Sequence, residues 1–101
     1  MPTLDDIQDE VNEALKKIKA ADRESVQEEH WPNIKDMLID CTDLDEFYRG
    51  QMRKLIYERL NNQPLHGAPV PINLQNLKGA LIRGNIHVPE PTDIIDGWLV
   101  W

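Results

Sequence analysis

The sequence holds four thiol or imidazole side chains, the types most used to ligate zinc or to pair as nucleophile and base: Cys41, His30, His66 and His87. Zinc asks for three or four such ligands at short spacings, and these stand singly along the chain. A carboxylate-bridged metal site in a helical bundle asks for Glu-x-x-His, but the residue three before His30 is Gln27. The run Asp43-Leu44-Asp45 lacks the bend glycine and distal glutamate of a calcium loop. Gly79 and Gly84 do not make a phosphate-cradling loop. Cys41 lies near Asp40 and Asp43, a setting that keeps a thiol protonated, and on an apolar stripe it reads as a small core residue. His30, beside Glu28 and Glu29, reads as a solvated helix-end residue. His66 sits in a Pro-Gly connector and His87 on the polar side of a predicted strand. The pattern predicts no catalytic centre, no metal and no cofactor.

The remaining candidates are side chains that bind. Arg49, Arg53 and Tyr57 follow one another at helical spacing, with Lys54 and Arg59 nearby. Three helices in about 60 residues suit a helix-turn-helix DNA reader, and such a stripe could read a duplex. Residues 32–62 nevertheless hold five basic and six acidic side chains, a poor balance for a surface that must attract phosphates. Arg and Tyr are equally the types enriched in protein-interface anchors. The chain ends on Trp98-Leu99-Val100-Trp101. Left exposed, that end would form an apolar patch soluble monomers seldom carry. We expect Trp98 to be core and Trp101 to be the interface anchor. The candidate partner-binding residues are thus Arg49, Arg53, Tyr57, Trp98 and Trp101.

The elements that must position these residues are mainly helical. Leu4, Ile7, Val11, Ala14, Ile18 and Ala21 recur at spacings of three and four, with Leu15 widening the stripe. Thr3 and Asp6 form a capping-box pattern at its start. Acids lead and lysines close this helix, as its dipole favours, and Glu13 is placed to pair with Lys17. The stripe also fits a heptad for about two and a half repeats, short of the ~3–4 that mark a coiled coil. Packing on its own domain is the expectation and a helix-mediated homodimer the rival. Residues 22–31 are charged and read as a short helix or helical connection. Pro32 suits the first turn of a new helix, which Trp31, Ile34, Leu38 and Cys41 continue. Thr42 and Asp45 predict a second capping box opening a third helix. Its buried stripe is read as Leu44, Phe47, Tyr48, Met52 and Leu55, and Gly50 inside it as the mark of a close helix crossing. After residue 62 prolines accumulate. The favoured assignment there is a helical turn near 73–79 and a strand from Ala80 to Val88, where apolar and polar residues alternate. The competing one is a single helix capped by Asn73 and stopped by Gly84.

The fold expected is therefore mainly α: a single domain over 1–101, with a three-helix bundle in 3–62, a connector at 63–72 and a packing segment at 73–101. That last segment is Pro-rich and is read as adding a short helix and a small β element. The net charge of −7, with a pI near 4.8, disfavours nucleic acid and anionic membranes and favours basic partners. A lone cysteine, no secretory pattern and no apolar run approaching ~18 residues predict a cytoplasmic protein without a membrane span. The function expected is stoichiometric protein binding, as an inhibitor or adaptor against a basic-grooved partner, in the manner of antagonists encoded by phages and mobile elements. The alternatives are a structural or oligomerisation subunit of a larger assembly, and a helix-turn-helix-like regulator.

Overall fold

The computed structural model describes residues 1–18, 23–63 and 70–90. The chain is mainly helical: α1 is Leu4–Ile18, α2 Arg23–Asp40, α3 Glu46–Asn62 and α4 Leu74–Arg83. Helix α1 packs on the other three, α2 and α3 pack together, and α4 lies on α1 and α3.

Helix α1 begins where its capping residues place it. The Thr3 N–H donates to Asp6 Oδ2 at 3.0 Å and the Asp6 N–H to Thr3 Oγ1 at 3.3 Å, which satisfies two of the donors a helix start leaves open. Leu4, Ile7, Val11, Ala14, Leu15 and Ile18 are all buried. The chain's own helices cover this stripe, so α1 is not the dimer face that its heptad spacing allows. Lys17 is paired across to Glu29 of α2 at 3.2 Å.

Two boundaries differ from expectation. Residues 23–40 form one helix that runs through Pro32. Both Pro32 and Glu28, whose carbonyl loses its partner at that proline, are exposed, so water can take the freed acceptor. In the other, Asp45 rather than Thr42 occupies the N-cap of α3, and it makes no side-chain cap hydrogen bond. The carboxylate of Asp43 instead accepts from the Leu4 N–H at 2.9 Å, tying the start of α1 to the α2–α3 loop.

The C-terminal part also departs from the favoured assignment. Helix α4 continues to Arg83, and no strand occurs among the described residues of 80–88. Asn73 caps its start by accepting from the Asn76 N–H at 3.0 Å. Gly84, at φ 71°, ends it in the left-handed conformation. The helical hydrogen bonds outweigh the alternation because this sequence has both caps in place. The expectations for His66, Trp98 and Trp101 lie outside the described residues.

The core is one cluster in which Trp31 of α2 and Tyr57 of α3 are the largest members. Their rings meet edge to face, 5.6 Å between centroids and 69° between planes. Cys41 is buried and free, closing the α2 end of the same cluster.

Candidate functional site

The basic stripe of α3 does not form an outward-facing surface. Arg49 is half-buried and its Nε donates to the carbonyls of Cys41 at 3.0 Å and Leu44 at 3.1 Å. Arg53 is half-buried, and burial pulls its guanidinium below the ordinary value without removing its charge. Tyr57 is 1% exposed, inside the core against Trp31. It is thereby corrected from surface anchor to core residue. The reason is geometric: each step of four residues advances about 40° around a helix. A row at 49, 53 and 57 therefore spirals from the flank of α3 into the bundle.

Three further cations bond to other parts of the chain. Arg23 donates to the Gln63 carbonyl. Arg59 donates to the carbonyls of Val70 at 3.1 Å and Pro71 at 3.4 Å. Lys54 pairs with Glu90 at 2.7 Å. Among the described basic residues only Lys16 and Arg83 are exposed, whereas every described acidic residue except Glu10 and Glu58 is. The described carboxylates are thus more exposed, residue for residue, than the described Lys and Arg side chains, most of which are partly exposed.

A polar seam runs between the helices. His30 is 5% exposed, contrary to the solvated position expected of it, and its Nδ1 lies 2.9 Å from Glu10 Oε1 on α1. That hydrogen bond, opposed in part by desolvation, holds the Glu10 carboxyl below its ordinary value. His30 Nε2 has no hydrogen-bond partner among the described residues, and Glu29 Oε2 lies 3.8 Å from it. A histidine oriented by a carboxylate is half of a nucleophile-activating arrangement. Here the free nitrogen is near a second carboxylate, and the Cys41 thiol lies eleven residues on, about 16 Å along the helix axis. Gln27 extends the seam by donating to Asn61 Oδ1 of α3. The seam links α2 to α1 through His30–Glu10 and to α3 through Gln27–Asn61. Among the described residues no group of three His, Cys, Asp or Glu is placed to hold a metal ion, and no helix is long and apolar enough to cross a membrane.

The feature that sequence reasoning missed is Phe47. Predicted in the buried stripe of α3, it is 68% exposed. Once α3 is known to start at Glu46, the spacing accounts for this. Phe47 shares a face with Gln51, Lys54 and Glu58, whereas Tyr48, Met52, Leu55, Ile56 and Leu60 face inward. Ile39, next to last in α2, is also exposed, at 40%. Around these two, Asp36, Asp40, Asp43, Asp45 and Glu46 are all exposed. The corner between α2 and α3 therefore combines two exposed apolar side chains with a run of carboxylates.

The chain was compared with protein-family models, curated proteins and solved structures, and it matches none of them.

Proposed function

We propose that the protein is a stoichiometric binding module, an inhibitor or adaptor that acts by occupying a basic surface on another protein. The observation that carries this reading is the division of charge across the fold. Arg23, Arg49 and Arg59 are engaged with the chain's own backbone carbonyls, while most described carboxylates are exposed. Such a surface steers basic partners and repels phosphate backbones and anionic membranes. A DNA-reading role is the weaker proposal, because Tyr57 is buried and Arg49 is held under the loop. The experiment is affinity capture with the full chain from its native host, read by mass spectrometry at low salt and at about 0.5 M salt, where exposed charges are screened. The expected result is one basic protein retained at a fixed ratio and released by salt. Self-association without a captured partner, seen by sedimentation, would replace the proposal with the assembly-subunit reading.

A further inference from the structure

We infer that the α2–α3 corner is the docking surface, with Phe47 as its anchor, and that it takes a protein segment bearing an apolar side chain flanked by Lys or Arg. This rests on the reading of the partner as basic, and adds where and how that partner is held.

Three observations meet at this corner. Phe47 and Ile39 are exposed within a few residues of the turn, and the acids beside them are exposed too. The Phe47 ring meets Tyr48 edge to face, 5.3 Å between centroids, yet is still 68% exposed, and aromatic side chains are the types that dominate binding when a partner covers them. Next, Asp45 stands at the N-cap of α3 without using its carboxylate to cap. Asp at this position ordinarily satisfies an N–H of the first turn, so its charge is left available outward. Both are departures from the locally best arrangement, and such departures concentrate where function demands them. Finally, the corner is held in shape. Arg49 bonds the carbonyls of Cys41 and Leu44 from below, Asp43 is tied to the Leu4 N–H, and the side chains of Cys41 and Leu44 are buried. A surface already fixed loses little freedom on binding.

Charge decides among the possible occupants. A second copy would set carboxylates against carboxylates, and nucleic acid or an anionic bilayer would do the same with phosphates. A segment with Lys or Arg on either side of an aliphatic or aromatic residue answers both features: its apolar side chain covers Phe47 and Ile39, and its cations meet Asp40, Asp45 and Glu46.

The test selects a random dodecapeptide display library against the full chain, then titrates the enriched synthetic peptides by fluorescence polarisation. The variants are Phe47→Ala, Ile39→Ala and the pair Asp45→Asn/Glu46→Gln. Asn keeps a good N-cap, and Phe47 and Ile39 are exposed, so folding should survive; circular dichroism checks it. We expect enrichment of Lys or Arg around an apolar residue, about tenfold or greater weakening by Phe47→Ala, and a flatter salt dependence for the Asp45/Glu46 pair. Basic peptides that bind Phe47→Ala as tightly as the parent overturn the corner while leaving the basic-partner reading in place. Failure to enrich basic sequences overturns both. A parent chain that dimerises, and is made monomeric by Phe47→Asp, assigns the corner to a second copy and overturns the partner class.

Discussion

The side-chain amide of Asn12 holds both backbone groups of Ile72: it accepts from the Ile72 N–H at 2.8 Å and donates to the Ile72 carbonyl at 3.2 Å. One turn earlier on α1, Gln8 Oε1 accepts from the Leu74 N–H at 2.8 Å. Residues four apart on the helix thus match groups two apart on an extended segment, and this seats the start of α4. Both bonds are partly buried, so water replaces the lost partner only in part in Asn12→Ala. The variant should lose about 1–2 kcal/mol in urea denaturation, because a partly buried donor and a partly buried acceptor both lose their partner. Asn12→Asp keeps the acceptor but sets a carboxylate oxygen against the Ile72 carbonyl, and should lose at least as much. A loss under about 0.5 kcal/mol for Asn12→Ala would mean that the segment seats on α1 by apolar packing alone.

The pairing of Glu10 with buried His30 makes stability depend on acid. The Glu10 carboxyl is held below its ordinary value, chiefly by the hydrogen bond from His30. A carboxyl depressed in the folded state contributes stability that is fully present above its unfolded pKa, ~4.3, and is lost as pH falls through the lower folded value. Lys17 and Glu29 also face this pair, so comparison with Glu10→Gln is needed to isolate it. Urea midpoints measured from pH 7 down to about pH 3 should fall less steeply for Glu10→Gln than for the parent. Parallel curves would show that the pair contributes nothing to the acid limb.

The edge-to-face contact between Trp31 and Tyr57 should be the largest single side-chain contribution to the core. Tyr57→Ala empties a fully buried aromatic site and is expected to cost about 3–5 kcal/mol. In a cycle of Trp31→Leu, Tyr57→Leu and the double variant, the coupling should be about 0.5–1.5 kcal/mol beyond area burial. A Tyr57→Ala variant as stable as the parent, but defective in partner capture, would return Tyr57 to the binding surface.

Ala21, read as the end of the α1 stripe, lies outside the described residues. Over Leu4–Ile18 helix α1 was legible in sequence because its signals agree: a capping box, an apolar stripe and a charge order that suits the dipole. Helix α2 was not, because Gln27 and His30 occupy inward positions with Val26 and Trp31. Their burial is made possible by Asn61 on α3 and Glu10 on α1, contacts that no local pattern announces. Phe47 was misplaced for a different reason: residue type was weighed over phase. Its spacing to Gln51, Lys54 and Glu58 puts it on the polar face, and that was readable once the first residue of α3 was known. The engagement of Arg23, Arg49 and Arg59 with backbone carbonyls depends on segments brought close only by the tertiary fold.

Two glycines give opposite predictions under the same substitution. Gly84 closes α4 at φ 71°, with its N–H donating to the Leu81 carbonyl at 3.2 Å and the Asn85 N–H to that of Ala80 at 2.9 Å. A Cβ there is strained by the left-handed backbone, so Gly84→Ala should cost about 1–2 kcal/mol. Gly50 lies inside α3, and a Cβ added to it would meet nothing within 4 Å. The close helix crossing expected at this residue is therefore not what keeps glycine there. Gly50→Ala should stabilise the protein by about 0.5–1 kcal/mol, since it lowers the entropy of the unfolded chain and favours helix. Urea denaturation of both variants decides the matter. Destabilisation by Gly50→Ala would show that this face of α3 is closed to a Cβ, and would also count against the free approach to Phe47, one turn before it, that partner docking requires.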